Sequence, residues 1–206
     1  MRWDPIWWPS LWQAEAMPVD PSAIATWANL VTVGRVLIAP LMFWLIPEAP
    51  GGAWVACVLW LVLCSSDGVD GYLARRHGIT NLGTFLDPLA DKVLVLGAMF
   101  TLVSRDVYWI LPVVIIAARE IGISLYRTFV GAKGVSVPAS KIAKWKTVTQ
   151  QLSVGFAIMP LTAVDWKWLW NGLLWTSVVL ALISATQYLW RAHITKRSAA
   201  ELTRVA

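Results

Sequence analysis

Six apolar stretches follow one another along the chain, each long enough to cross a bilayer as a helix. Polar residues, glycine and proline mark the breaks between them, as in the segment PEAPGG at residues 47–52. Because about 20 apolar residues in a helix span the hydrocarbon core of a membrane, the pattern predicts an all-α integral membrane protein with six transmembrane helices. The predicted spans are residues 28–47, 53–76, 83–104, 107–131, 141–164 and 168–192.

The first 27 residues have a different character. Residues 1–20 contain four tryptophans among three prolines and three acidic residues. This mixture is too polar to cross the membrane but suits its headgroup layer. We therefore predict an N-terminal interfacial segment over residues 1–27, a six-helix domain over 28–194 and a cytoplasmic C-terminal tail over 195–206.

Composition supports the membrane interpretation. Of the 206 residues, 58% are hydrophobic and 14% are charged, and the mean hydropathy is +0.61. An ordinary soluble domain has about 25% charged residues, so a water-soluble globule is excluded. Cys57 and Cys64 are two helical turns apart within one apolar stretch, too far for a disulfide, and we predict two free thiols.

Basic residues outnumber acidic ones, 17 to 12, giving a net charge of +5. If the spans alternate in direction, one side of the membrane receives nearly all of the lysine and arginine residues. The positive-inside rule then places both termini in the cytoplasm. This asymmetry accounts for the basic excess, and we predict no nucleic-acid partner.

Four aspartates fall at helical spacing where the second and third spans meet. Asp67 and Asp70 are three positions apart, and Asp87 and Asp91 are four apart, so each pair shares a helix face about 5 to 6 Å apart. One aspartate at mid-membrane costs about 2.5 to 3.5 kcal/mol, so cations are expected there. Carboxylates suit Mg²⁺ or Mn²⁺, and two such ions balance four negative charges. A site of this kind favours phosphoryl-group transfer.

An alternative is that the four acids are neutralised by protein cations alone, or lie partly in headgroup water. The candidate cations are Arg35, Arg75, Lys92 and Arg119. This alternative is less favoured because solvated helix ends do not readily produce a matched spacing on two adjacent helices.

Small residues accompany the first acidic pair. Gly68, Gly71 and Ala74 form a strip that allows close approach, either by a ligand or by a neighbouring helix. Beside metal-binding acids we favour a ligand. Arg75 could hold a diphosphate with its two-pronged guanidinium.

These residues resemble the signature of the CDP-alcohol phosphotransferases. The pattern Asp-x-x-Asp-Gly-x-x-Ala-Arg, a spacer, then Gly-x-x-x-Asp-x-x-x-Asp covers residues 67–91. The spacer has seven residues, where the family more often has eight. The family consists of integral membrane enzymes with six transmembrane helices, usually homodimeric.

The resemblance implies a role for each matching residue. Asp67, Asp70, Asp87 and Asp91 would surround two metal ions, and Asp91 would also act as general base. The acceptor alcohol, deprotonated by Asp91, would attack the phosphorus that bears the lipid, with CMP leaving. The implied binding residues for the cytidine diphosphate portion are Thr32, Gly71, Ala74 and Arg75.

The fourth and fifth spans contain the cations expected to bind an acceptor. Arg119, Arg127 and Lys144 lie toward the cytoplasmic end and could surround a phosphate. The alternative is that Arg119 pairs with Glu120 or with an aspartate, while the lysines only set topology.

Resemblance favours the phosphate site. Arg-Glu-Ile at 119–121 and Lys-x-Lys-Thr-x-x-Gln at 144–150 resemble the phosphatidylglycerophosphate synthases within this family, although Ala143 stands where that group usually has Gly. This implies CDP-diacylglycerol as donor and sn-glycerol 3-phosphate as acceptor, in a multi-pass protein of the bacterial cell membrane with a cytoplasmic active site. Phosphatidylglycerol or inositol phosphate as acceptor, or a divalent-cation transporter, are the alternatives.

Overall fold

The computed structural model describes residues 27–48, 51–77, 81–131 and 141–205, with side chains for 30–48, 51–66, 88–129 and 142–190. Within these residues the chain forms six α-helices and no strand, which confirms the predicted all-α class. The helices are α1 (Trp27–Leu45), α2 (Trp54–His77), α3 (Asn81–Ser104), α4 (Ile110–Gly131), α5 (Lys141–Ile158) and α6 (Lys167–Val205). The predicted interfacial segment 1–27 falls almost wholly outside the described residues.

Two helices end at different points from the predicted spans. Helix α5 ends at Ile158, six residues early, because Pro160 disfavours helical backbone at the residue before it. Thr162 closes the turn, and its hydroxyl donates to the Phe156 carbonyl at 2.6 Å. Helix α6 continues to Val205, so the predicted tail 195–206 is a helical extension over most of its length.

The connections after α1, α3 and α5 meet at one end of the bundle. This shows that the helices alternate in direction. Arg105 after α3 pairs with Glu48 after α1 at 2.8 Å. The Ala53 amide before α2 donates to the Ile158 carbonyl at the end of α5, at 2.9 Å. We call this end, formed by residues 46–48, 51–53, 105–109 and 159–166, the short-loop end.

Packing places the two helices with the acidic motif between the same neighbours. Helix α1 packs against both α2 and α3, and α5 packs against α2, α3 and α6, while α4 packs against α3 and α6. Trp60 of α2 is buried and donates from Nε1 to the Gln151 carbonyl of α5 at 3.1 Å. Cys57 and Cys64 are free thiols in α2, as predicted.

Helix α1 has its polar side chains inside and large apolar ones outside. Its buried positions follow a spacing of three and four residues and include Thr32 and Arg35, and Arg35 is only 2% exposed. On the opposite face Leu37 is 73% exposed and Trp44 is 75% exposed. A water-soluble bundle shows the reverse arrangement.

Length and apolarity alone identify one membrane-crossing helix among the described residues, the stretch Lys167–Trp190. Residues 30–45 and 54–66 are apolar but shorter. Helix α4 is long enough, but it contains Arg119, Glu120 and Arg127. The six membrane spans therefore stay a prediction.

Candidate active site

The four predicted metal ligands lie on two continuous helices. Asp67 and Asp70 belong to α2, and Asp87 and Asp91 belong to α3. Backbone helix persists through both pairs, so the spacings of three and four residues that motivated the prediction apply. The side chain of Asp91 is described and is partly buried, whereas the other three lie outside the described side chains.

The predicted CDP-binding residues belong to two helices. Gly71, Ala74 and Arg75 lie in α2, one to two turns after Asp67, at positions without described side chains. Thr32 lies in α1 and is completely buried. One turn later, Arg35 donates from Nε to the hydroxyl of Ser66 at 3.1 Å, and Ser66 immediately precedes Asp67. A buried cation of α1 is therefore held beside the start of the acidic motif.

A cleft of about 440 Å³ opens between α3, α4 and α5, away from the short-loop end. It brings Asp91 together with the three predicted acceptor-binding residues. Five cationic side chains line it against two acidic ones, so the described lining has an excess of positive charge. The charged lining residues are Asp91, Lys92, Arg119, Glu120, Arg127, Lys144 and Lys146.

Arg119 is held by contacts on three sides. Its Nε donates to the Ala181 carbonyl at 3.2 Å, and its Nη2 donates to the Ser184 hydroxyl at 2.6 Å. Its Nη1 pairs with Glu120 at 3.1 Å, which is the pairing that the sequence offered as an alternative to phosphate binding. Arg119 thus joins α4 to α6 as well as lining the cleft.

Arg127 and Lys144 are less constrained. The Arg127 guanidinium lies 5.5 Å from the ring centroid of Tyr188, a cation–π contact that leaves the N–H groups at the edge of the guanidinium available. Lys144 is exposed and makes no ion pair with the residues whose side chains are described. These two cations can turn toward an anion in the cleft.

Sequence reasoning gave no site role to two further cations of the cleft. Lys92 donates to the hydroxyl of Ser124 in α4, and Lys146 donates to the carboxylate of Glu120. The signals were present, because Lys92 follows Asp91 directly and Lys146 belongs to the Lys-x-Lys-Thr pattern. From the sequence alone, Lys92 is explained as a neutralising charge and Lys146 as a topology charge.

The chemistry of the donor set fits divalent metal ions. Asp91 offers hard carboxylate oxygens at the edge of a cleft, and three more aspartates lie at helical spacing on α2 and α3. Among the described side chains no group of three or more potential metal ligands occurs, since Asp67, Asp70 and Asp87 are outside that set.

A sequence model of the CDP-alcohol phosphatidyltransferase family matches residues 25–183. The match includes α1 to α5 and all of the residues lining the cleft. The chain belongs to this family. The resemblance predicted from the acidic motif is confirmed, and so is the predicted enzyme class, which sets aside a divalent-cation transporter. In bacteria, CDP-alcohol phosphatidyltransferases are membrane-bound, and they generally depend on divalent metal ions.

Three members of the CDP-alcohol phosphatidyltransferase family illustrate the similarity. A Cereibacter sphaeroides protein named CDP-diacylglycerol--glycerol-3-phosphate 3-phosphatidyltransferase is 35% identical over 64% of this chain and 62% of its own length. A Bacillus subtilis protein of the same name is 30% identical over 78% of this chain and 91% of its own length. A Mycobacterium tuberculosis protein named probable phosphatidylglycerophosphate synthase is 35% identical over 68% of this chain and 68% of its own length.

Proposed function

We propose that this protein transfers the phosphatidyl group of CDP-diacylglycerol to sn-glycerol 3-phosphate, forming phosphatidylglycerol phosphate and CMP. The observation that carries the proposal is the cation-lined cleft beside Asp91. A small alcohol that bears a phosphate fits such a cleft, because its phosphate finds positive charge while its hydroxyl can approach a carboxylate. The printed names of the related proteins support the same pair of substrates.

Asp91 is the proposed general base. It accepts the proton of the acceptor hydroxyl as that oxygen attacks the phosphorus bearing the diacylglycerol. An ordinary aspartate is a weak base, so its action depends on a hydrogen bond to the acceptor that strengthens in the transition state. Cations around the cleft favour this geometry by fixing the acceptor's phosphate.

Asp67, Asp70, Asp87 and Asp91 are the proposed ligands of two divalent cations, Mg²⁺ or Mn²⁺. Bound there, the ions would neutralise the negative charge of the diphosphate and of the leaving CMP. The spacing of the four aspartates on α2 and α3 supports this assignment, as does the packing of both helices against α1 and α5.

The CDP portion is proposed to lie along α2 and α1. Gly71 and Ala74 allow a ligand to approach the α2 backbone, Arg75 supplies a two-pronged donor for the diphosphate, and Thr32 supplies a hydroxyl from α1. Burial of Thr32 and of the neighbouring Arg35 supports a polar site between these helices.

Acceptor phosphate binding is assigned to Arg127, Lys144 and Arg119. Arg127 and Lys144 have donor groups that are not tied to acidic side chains of the described residues. Arg119 is already engaged by α6 and Glu120, so it would contribute through its positive charge and by holding the cleft's shape.

We propose that all six helices cross the membrane, with both termini and the cleft in the cytoplasm. Exposed apolar residues on α1 support this proposal. On α6, the exposed Trp168 and Trp190 are 22 residues apart, or about 33 Å along a helix, which matches a hydrocarbon core of about 30 Å flanked by tryptophans. A homodimer is expected from the family resemblance.

An acceptor panel tests the proposal. The purified full chain is supplied with CDP-diacylglycerol and, in separate reactions, with glycerol 3-phosphate, phosphatidylglycerol or inositol phosphate, each with and without a chelator. We expect CMP release with glycerol 3-phosphate that stops when the metal is removed. Release with phosphatidylglycerol alone would indicate a cardiolipin-forming enzyme, and release with inositol phosphate alone would indicate the corresponding inositol enzyme. Either result would overturn the proposed acceptor.

A further inference from the structure

The floor of the cleft contains a buried cluster of three charges on two helices, Arg119 and Glu120 of α4 and Lys146 of α5. We call it the Glu120 cluster. One carboxylate oxygen of Glu120 accepts from Arg119 Nη1 at 3.1 Å and also from Lys146 Nζ. Glu120 is 8% exposed and Lys146 is 5% exposed. All three residues line the cleft that also contains Asp91.

Helix pairing does not require such a cluster. Removing ions from water is costly, and a well-packed apolar cluster of the same volume is often at least as stable. Helices α5 and α6 are joined by a neutral polar contact instead. There the buried Ser153 donates to the Trp170 carbonyl at 2.7 Å. Three charges at the floor of a cleft therefore point to a role beyond joining helices.

The contacts of the two cations differ. Arg119 uses its three nitrogen atoms on Ala181, Ser184 and Glu120, so its position is fixed by α6. Lys146 has Glu120 as its one hydrogen-bond partner among the described residues. An ammonium group has three donor hydrogens, so Lys146 keeps donors for an anion in the cleft.

We propose that Glu120 is a positioning residue of the acceptor site. Its carboxylate holds Lys146 at the cleft floor beside Arg119, where two cations would otherwise repel each other. Lys146 is thereby fixed where it can bind the phosphate of the acceptor together with Arg127 and Lys144. This inference rests on the proposed function, because it assumes an acceptor that carries a phosphate.

The test is the Glu120→Gln variant, which keeps the shape of the side chain and removes its charge. We expect the KM for glycerol 3-phosphate to rise about tenfold or more, while the KM for CDP-diacylglycerol stays unchanged. Glu48→Gln is the matched control, since Glu48 also accepts from one arginine but lies at the short-loop end with an 87% exposed side chain. It should change neither KM.

A purely structural cluster gives a different result. Glu120→Gln would then leave the acceptor KM of the folded fraction unchanged, or would raise both KM values together, and either outcome overturns the proposal. If Glu120→Gln does not fold, Glu120→Asp replaces it, because the shorter carboxylate keeps the charge but displaces Lys146. An unchanged acceptor KM in a folded Glu120→Asp variant would equally contradict a positioning role.

A double variant tests whether Glu120 acts through Lys146. If it does, Lys146→Met alone raises the acceptor KM, and adding Glu120→Gln to it raises that KM no further. If the two substitutions instead raise the acceptor KM independently, so that their fold-changes multiply in the double variant, the inference is overturned. The wild-type chain is assayed first: failure to use glycerol 3-phosphate rejects the proposed function, and the KM comparison is then made with whichever phosphate-bearing acceptor releases CMP.

Discussion

At the scale of single residues, Asp91 is notable because its carboxylate lines a cleft in which cations outnumber acids. It is partly buried, next to Lys92, and faces helices that carry Arg119 and Lys146. Carboxylate oxygens suit divalent cations, and a carboxylate that lines a cation-rich cleft lies where the hydroxyl of a bound acceptor could approach it. This position supports both roles proposed for Asp91.

Asp91→Asn should abolish nearly all CMP formation while leaving the protein folded. The amide keeps the size of the side chain but loses its charge and its ability to accept a proton, so we expect the rate to fall at least about a hundredfold. CMP release and thermal unfolding would be measured on the same preparation. Asp165→Asn is the control, because Asp165 is exposed at the short-loop end. Appreciable activity in Asp91→Asn would refute the assignment.

Lys144→Gln should weaken binding of the acceptor without affecting the donor. Removing one charge-assisted contact to a phosphate corresponds to about tenfold in KM. The measurement is the initial rate against glycerol 3-phosphate concentration at saturating CDP-diacylglycerol. Lys167→Gln is the matched control, since Lys167 is an exposed lysine at the opposite end of the bundle. Equal effects in the two variants would argue against a specific phosphate contact.

Residue types and spacing predicted the candidate site only in part. The acidic motif indicated phosphoryl chemistry, and three of the five cations that line one cleft with Asp91 were predicted as site residues from the sequence. Their partners were not predictable, because hydrogen bonds such as those from Arg119 to Ser184 and Ala181 depend on how α4 and α6 pack. For the same reason, Lys146 could not be distinguished from a topology charge.

At the scale of elements, hydropathy located the helices well. Every helix begins within three residues of a predicted span, because apolar length and the polar breaks between spans are written directly in the sequence. The ends of α5 and α6 were less predictable. Pro160 and Thr162 end α5 inside an apolar stretch, and the polar residues after position 192 form helix although their hydropathy is not that of a membrane span.

The faces of the helices were not predicted. In α1 both faces are apolar over most of their length, so composition alone does not say that Leu37 is outside and Met42 inside. Which face of α1 is buried depends on which neighbouring helices are close enough to cover Met42. The positions of Thr32 and Arg35 provide the clue, because polar residues of a membrane helix face the bundle interior.

Gly52→Ala should destabilise the short-loop end. Gly52 has a φ of 67°, and an added Cβ would lie 2.4 Å from the Ile158 carbonyl oxygen. Left-handed backbone costs about 1 to 2 kcal/mol for other residues, and the clash with backbone atoms adds to this. Thermal unfolding in detergent should show a clear loss relative to Gly51→Ala, since a Cβ at Gly51 meets nothing within 4 Å. Equal stability of the two variants would contradict this geometry.

At the scale of the whole molecule, the bundle has two chemically different ends. The short-loop end carries the Arg105–Glu48 pair and the exposed Trp109, and the exposed Trp44 and Trp54 lie directly beside it. The opposite end carries the cation-lined cleft. In the proposed six-span topology, the positive-inside rule orients the cleft toward the cytoplasm, where glycerol 3-phosphate and CMP would be water-soluble partners of the proposed reaction.

Labelling of single cysteines tests this orientation. In a background where Cys57 and Cys64 are replaced by alanine, Glu48→Cys and Lys144→Cys are expressed separately in cells. A membrane-impermeant maleimide should label Glu48→Cys in intact cells, and Lys144→Cys only after the cells are opened. The opposite pattern would place the cleft outside.

The most direct test of the central claim is a count of products. Metal-depleted enzyme is given CDP-diacylglycerol and radiolabelled glycerol 3-phosphate, and Mg²⁺ is then added while free CMP and lipid-bound label are followed together. We predict that neither product forms before Mg²⁺ is added, and that afterwards one CMP is released for each glycerol phosphate that enters the lipid. CMP release without label in the lipid, or transfer that proceeds without metal, would contradict the account.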